Sequence, residues 1–253
     1  LIMPQKHLIM YHETYNMNQK ILIANWKANP ATFAEAKDLF NSENKSGVVI
    51  CPPILYLQML HASCSMLHAS FGAQDVFWEA GAHTGQVSPD MLKQFGVTHA
   101  LVGHSERRAL GETDEQINKK LKAVLAAGMT PVLLVGEPEK SAARSDYLID
   151  QLTRDLEGVS AENAKKILFC YEPVWAIGTR AANLDDVLSA IQEMQGILDK
   201  MYGFKPAMLY GGSVNQENLE SFLAHPEISG AVVGGASLKV EEFNAMINIA
   251  AKL

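Results

Sequence analysis

Eight short apolar runs recur along this chain, and patterns typical of amphipathic helices lie between them. The runs are rich in residues that favour strands, which predicts eight buried strands. They centre on residues 21–23, 48–50, 69–71, 100–102, 132–134, 168–170, 208–210 and 231–233. Strands that alternate with helices lie parallel in one sheet and are joined by right-handed crossovers. The pattern therefore restricts the chain to α/β folds with a parallel sheet.

The segments between the runs carry clear helix signals. Thr113 and Gln116 form a capping box, apolar residues follow on one face, and Gly128 marks the end of the predicted helix. A second apolar stripe with helical spacing runs through residues 184–198. A further helix is predicted from Ala31 to Asn44. We interpret these stripes as core-facing surfaces and not as cofactor-binding surfaces.

The number of strand–helix units distinguishes between two α/β architectures. Eight such units within residues 20–253 fit a single closed (β/α)₈ barrel with an outer layer of helices. A doubly wound open sheet is the alternative, and it usually has a glycine-rich nucleotide-binding turn after its first strand. Here Asn25-Trp26-Lys27 follows the first run, which favours the barrel. Residues 1–19 show neither a helix nor a strand period, and we expect them to be a leader outside the barrel.

Composition excludes several classes of function. A net charge of -7 argues against a nucleic-acid partner. No apolar run approaches the ~20 residues of a membrane-spanning helix, so no membrane partner is expected. The three cysteines form no C-x-x-C pair and lie in or near apolar segments, which indicates buried thiols in a reducing compartment, the cytoplasm. Metal-ligand spacing of histidines, cysteines and carboxylates is absent, so no metal is predicted.

The segment Tyr171 to Thr179 is the most informative stretch of the chain. It places Glu172 where a buried strand ends, and an unusually apolar loop follows. Such a loop is expected if it closes over a site and excludes water. A surface glutamate beside an apolar turn is the alternative interpretation of this segment alone.

In a barrel, the carboxyl ends of all strands meet on one face. Asn25 and Lys27 follow the first run and His104 follows the fourth, so they are expected beside Glu172. Glycine pairs follow the last two runs, in Gly211-Gly212-Ser213 and Gly234-Gly235, and their outward N–H groups suit a phosphate. Each of these features has an alternative interpretation when it is considered alone: the lysine as a solvated charge, the histidine as a helix cap and the glycines as tight turns. Together they suit proton transfer on a small anionic substrate.

These residues resemble the triosephosphate isomerase family. The resemblance runs from about residue 20 to the C-terminus. It rests on Asn25-Trp26-Lys27 and on the segments 103–108, 171–179, 210–214 and 234–238. It implies a TIM barrel that interconverts dihydroxyacetone phosphate and D-glyceraldehyde 3-phosphate through an enediolate, in glycolysis and gluconeogenesis and without a cofactor. A non-catalytic sugar-phosphate-binding barrel, acting as a sensor or scaffold, is the alternative.

The resemblance also implies a role for each matching residue. Glu172 is expected to be the base, His104 the electrophile, and Lys27 the positive charge beside the substrate. Asn25 is expected to donate a hydrogen bond, and Glu106 to lie behind Lys27. The phosphate is expected to contact Gly178, Ser213, Gly234 and Gly235. The lid over the site is expected to consist of Pro173, Val174, Trp175, Ala176, Ile177, Gly178 and Thr179.

The chain departs from the family pattern at several positions. Leu134 replaces a cysteine after the fifth run, and Asp75 replaces an asparagine after Gln74.

The resemblance also implies a homodimer, with Thr84 and Gly85 in the loop that joins the subunits. Gln86 replaces the glutamate of that loop, whose carboxylate would pair with Arg107 across the dimer. The lid hinge carries an arginine at position 180 where a threonine is more common.

Overall fold

A closed barrel of eight parallel strands in chain order forms the centre of the molecule. The computed structural model describes residues 20–64, 66–178 and 182–253. Residues 1–19, Thr179 and Arg180 therefore lie outside the described part. The strands are β1 (Ile21–Asn25), β2 (Val48–Cys51), β3 (Ser70–Ala73), β4 (Val97–Val102), β5 (Thr130–Val135), β6 (Leu168–Tyr171), β7 (Met208–Tyr210) and β8 (Ile228–Val233). Pairing of β1 with β8 closes the barrel, which confirms the predicted fold and excludes the doubly wound sheet.

Ten α-helices in the described residues surround the barrel. They are α1 (Phe33–Glu43), α2 (Ile54–Ser63), α3 (Pro89–Lys93), α4 (Ser105–Ala109), α5 (Asp114–Ala126), α6 (Arg144–Asp155), α7 (Ala161–Ala164), α8 (Leu184–Tyr202), α9 (Leu219–Leu223) and α10 (Val240–Ala250). Short 3₁₀ turns span Val174–Ala176 and Gly235–Leu238. The predicted capping box before α5 is confirmed. The prediction for α1 was wrong by two residues at its start, because Thr32 caps the helix in a box with Glu35.

Two apolar cores follow from the alternation of side chains along the strands. In β1, Ile21 and Ile23 belong to the core inside the barrel, whereas Leu22 and Ala24 pack against the helices. Every strand residue of β1 is buried, because the barrel covers one face of the strand and the helices cover the other. The strands are therefore rigid supports for the residues that follow them.

The turn after β1 is anchored from behind by a buried hydrogen bond. Trp26 is fully buried, and its indole nitrogen donates to Oε2 of Glu43 at 3.0 Å. Burial raises the pKa of Glu43 to about 8. Glu43 lies at the end of α1, so this bond fixes the turn that carries Asn25 and Lys27 against the first helix.

Candidate active site

The carboxyl ends of the strands bring the predicted polar residues to one face of the barrel. Asn25 ends β1, and its side-chain oxygen accepts a hydrogen bond from the backbone N–H of Lys27 at 3.2 Å. The Lys27 ammonium pairs with Oε1 of Glu106 at 2.5 Å. Lys27 is one-third exposed, so its charge is available to a ligand in the cleft.

Glu172, which follows β6, and His104, which lies two residues after β4, form a buried pair. Nε2 of His104 lies 3.2 Å from Oε1 of Glu172. The other carboxylate oxygen, Oε2, accepts the backbone N–H of Ser105 at 2.8 Å. Burial raises the pKa of Glu172 to about 7, although the hydrogen bonds from Ser105 and the charge of Lys27 oppose the shift. The carboxylate is thus a base whose pKa lies close to neutral pH.

The position of the proton on His104 follows from its hydrogen bonds. The backbone N–H of Glu106 donates to Nδ1 of His104 at 3.1 Å, so Nδ1 carries a lone pair and the neutral ring carries its proton on Nε2. Burial lowers the pKa of His104; the charge of Glu106 opposes this shift and the charge of Lys27 adds to it. The neutral ring therefore presents an N–H donor toward Glu172. The same Nδ1 contact caps α4, so the alternative interpretation of His104 as a helix cap is also correct.

Backbone hydrogen bonds to the ends of the two neighbouring strands fix the chain on either side of Glu172. The Glu172 N–H donates to the carbonyl of Val135 at 2.8 Å, and the Gly211 N–H donates to the carbonyl of Tyr171 at 2.9 Å. A methyl group on Gly136 would lie 2.0 Å from the carbonyl oxygen of Glu172. The end of β5 therefore approaches the base more closely than a side chain allows.

Glu137 anchors the start of the predicted lid. Its Oε1 accepts hydrogen bonds from the Tyr171 hydroxyl and the Trp175 indole, each at 2.8 Å, and its carbonyl accepts the Val174 N–H at 3.1 Å. Further along, the Ser213 hydroxyl donates to the carbonyl of Ala176 at 2.7 Å. The lid thus contacts the loops after β5 and β7. Glu137 was not among the predicted site residues, although its place two residues after the end of β5 was a usable signal.

The predicted phosphate contacts occupy neighbouring loops. Gly234 precedes the 3₁₀ turn Gly235–Leu238, and a methyl group on Gly234 would lie 3.5 Å from Cε of Lys27. Gly178 has a φ of 67° and is exposed where the described part of the lid ends. Ser213 reaches the predicted lid, and Gly234 lies beside Lys27, so the loops after β7 and β8 both contact other predicted site residues.

The structure explains two departures from the family pattern. Asp75 pairs with Arg107 at 3.0 Å and with the buried Lys120 at 2.5 Å, so its carboxylate meets two cations of its own chain. Leu134 is buried inside the barrel with Cys170 of the adjacent β6.

The predicted dimer loop is on the surface of the described part of the chain. Thr84, Gly85 and Gln86 are exposed. Gly85 and Gln86 border a cleft of about 240 Å³ together with Gln74 and Asp75.

Three further findings concern the described residues as a whole. Within the ranges 20–64, 66–178 and 182–253, no group of three or more histidine, cysteine and carboxylate side chains is placed to hold a metal ion. No helix in the same ranges has the length and apolar character needed to cross a membrane. Cys51 and Cys170 are buried and Cys64 is half-buried, and all three are free thiols.

Comparisons with known proteins identify the family. The family model described as triosephosphate isomerase matches residues 20–250. A triosephosphate isomerase of Dictyoglomus thermophilum is 40% identical over 243 residues, covering 90% of this chain and 98% of the relative. That of Carboxydothermus hydrogenoformans is 40% identical, covering 91% and 98%. That of Lactobacillus delbrueckii subsp. lactis is 37% identical, covering 90% and 97%. With a family match along nearly the whole barrel and relatives of this similarity, the chain belongs to the triosephosphate isomerase family.

Proposed function

We propose that this isomerase interconverts dihydroxyacetone phosphate and D-glyceraldehyde 3-phosphate, with Glu172 as the base that moves the proton. The contact of Glu172 with Nε2 of His104 at 3.2 Å carries this proposal. It joins a base with a raised pKa to a neutral N–H donor, and the charge of Lys27 acts on both groups. Such a set suits removal of a proton from a carbon next to a carbonyl.

Each oxygen of Glu172 has a polar partner, Nε2 of His104 for Oε1 and the Ser105 N–H for Oε2, and the proposed reaction replaces the first of these contacts. The substrate carbonyl oxygen accepts a hydrogen bond from the Nε2–H of His104 and replaces Oε1 of Glu172 as its partner. That carboxylate oxygen then removes a proton from the adjacent carbon, and the electron pair moves onto the carbonyl oxygen. Glu172 returns the proton to the neighbouring carbon, and His104 moves a proton between the two oxygens.

The charge that builds up on oxygen needs stabilisation that is already in place. The Lys27 ammonium and the His104 N–H supply it, and Asn25 supplies a hydrogen bond. Groups oriented in advance toward developing charge cost no reorganisation during the reaction. The fixed Lys27 turn and the buried His104 ring meet that condition.

The phosphate and the lid complete the proposed site. Backbone N–H groups of Gly178, Ser213, Gly234 and Gly235 bind the phosphate. The segment 173–178, held at its start by Glu137, covers the intermediate. Excluding water matters because an enediolate next to a phosphate ester can lose the phosphate.

A sugar-phosphate-binding barrel without catalysis is less well supported. Binding a phosphate requires only the glycine loops and Ser213. A buried carboxylate with a raised pKa destabilises the folded protein at neutral pH, and phosphate binding does not need it. The Glu172 and His104 pair has a use only if a proton is moved.

We further propose a homodimer in the cytoplasm, in which the exposed loop with Thr84 and Gly85 contacts the second subunit. Exposed Ile54 and Leu55 in α2 supply apolar surface near this loop. Because Arg107 is already paired with Asp75, the interface does not depend on a carboxylate at position 86. Sedimentation of the purified chain tests this, and a monomer at micromolar concentration would contradict it.

A coupled assay tests the proposed activity directly. The purified chain should convert dihydroxyacetone phosphate to D-glyceraldehyde 3-phosphate at a rate proportional to enzyme concentration and without added metal or cofactor. A chelator serves as the control. Absence of turnover by folded protein would reject the proposal and would favour the binding barrel.

The raised pKa of Glu172 predicts how the rate depends on pH. The base acts only when ionised, so kcat/KM should fall about tenfold per pH unit below about pH 7 and level off above it. The substrate phosphate titrates at about pH 6, so the substrate is titrated separately and its ionisation is subtracted from the profile. Rates measured from about pH 5 to pH 9 test this, and a constant rate down to about pH 5 contradicts it.

A further inference from the structure

The backbone of Lys27 has a conformation that lysine rarely adopts. Its φ is 53°, and within the described ranges it is the one non-glycine residue with a positive φ. A left-handed residue other than glycine is strained and persists only where its surroundings hold it. Whatever holds this turn therefore decides where the Lys27 ammonium lies.

Gln74 supplies a direct hold on this turn. Its side-chain nitrogen donates to the carbonyl oxygen of Lys27 at 2.7 Å and to that of Cys51 at 2.9 Å. Gln74 follows β3, Lys27 follows β1, and Cys51 ends β2. One carboxamide thus joins the ends of three consecutive strands.

The chemistry of the amide group suits this contact. An NH₂ group has two donors, and here each donor meets one backbone carbonyl. Glutamate has the same shape but would place carboxylate oxygens against two carbonyl oxygens. Methionine has a similar length but no strong donor. Glutamine therefore satisfies this position where residues of equal size do not.

We propose that Gln74 is a positioning residue for the isomerase reaction, because its amide holds the strained Lys27 turn and so orients the ammonium toward the substrate. The inference rests on the proposed function, in which Lys27 stabilises charge on the substrate oxygens. Gln74 itself needs no contact with the substrate. It acts through Lys27, which distinguishes it from a residue that contributes only to stability.

A kinetic comparison tests this. Gln74→Met should lower kcat/KM about ten- to hundredfold, since small displacements of a catalytic group have effects of this size. Gln195→Met is the matched control, because Gln195 also donates from its amide to a carbonyl, that of Pro206 at 2.7 Å, but lies on α8. The control should keep kcat/KM within about twofold. Equal activities of the two variants would overturn the proposal.

A double-mutant cycle separates positioning from a general loss of structure. If Gln74 acts through Lys27, then Gln74→Met should lower kcat/KM of a Lys27→Ala variant by less than about twofold. The same loss in both backgrounds would overturn the proposal. Gln74→Glu is a second variant in case the methionine protein does not fold, and it should reproduce the loss.

A crystal structure of Gln74→Met provides a test that does not depend on activity. The φ of Lys27 should leave the left-handed region, or the ammonium should move away from Glu106. An unchanged Lys27 turn would overturn the inference even if the wild type is an active isomerase. An inactive wild type would instead reject the proposed function and, with it, the catalytic role of Gln74.

Discussion

Glu172→Gln should lower kcat at least about 100-fold while the protein remains folded. Glutamine has nearly the same shape and its amide oxygen can still accept the Ser105 N–H, but it cannot take a proton from carbon. A general base typically contributes about 10²–10⁴-fold to the rate. Since burial disfavours the ionised form of Glu172, the neutral variant should melt at the same or a higher temperature near neutral pH.

Matched measurements make this result decisive. Glu139→Gln removes an exposed carboxylate from the loop after β5 and should leave kcat within about twofold of the wild type. Circular dichroism of all three proteins checks the fold. A Glu172→Gln enzyme that keeps more than a tenth of the wild-type kcat would contradict the assignment of Glu172 as the base.

Lys27→Met should lower kcat/KM about 10²–10³-fold, the range measured when one preorganised donor to a developing oxyanion is removed. Methionine keeps much of the length of the side chain but removes the charge. Loss of the Lys27 charge also leaves Glu106 without the cation that lies 2.5 Å from its Oε1, so the electrostatic potential at the site becomes more negative. Both changes disfavour a negatively charged substrate and its enediolate.

Lys166→Met controls for the general loss of a positive charge. Lys166 precedes β6 and therefore lies on the opposite face of the barrel, where it pairs with Glu162 at 3.6 Å. Steady-state kinetics of the two variants at one ionic strength should differ by at least about tenfold in kcat/KM. Equal losses would mean that Lys27 acts only through the net charge of the protein.

The barrel could be predicted because its sequence signals are local. Each strand is a short apolar run, and a signal such as the capping box at Thr113 and Gln116 lies within a few residues. The strand ends were predictable for the same reason, since a polar residue after a buried run falls at the carboxyl end of its strand. Glu172, His104 and Lys27 follow directly from that rule.

Contacts between loops could not be predicted in this way. Gln74 lies 47 residues from Lys27, and Glu137 lies 34 residues from Tyr171. Spacing indicates that these residues follow strands, but it does not say which neighbouring group each side chain reaches. The two ion pairs of Asp75 depend on the same packing of separate segments.

Glu172 is proposed to carry a proton from one carbon to the next, and isotope exchange reports on that step. Dihydroxyacetone phosphate is converted in D₂O, and the product is examined by proton NMR. A proton held on a carboxylate can exchange with solvent before it is returned. We expect deuterium at the carbon next to the carbonyl in product made by the wild type, and at least about 100-fold slower formation of that product with Glu172→Gln. Product that is free of deuterium and is formed equally fast by the wild type and Glu172→Gln would show that the hydrogen moves without this base.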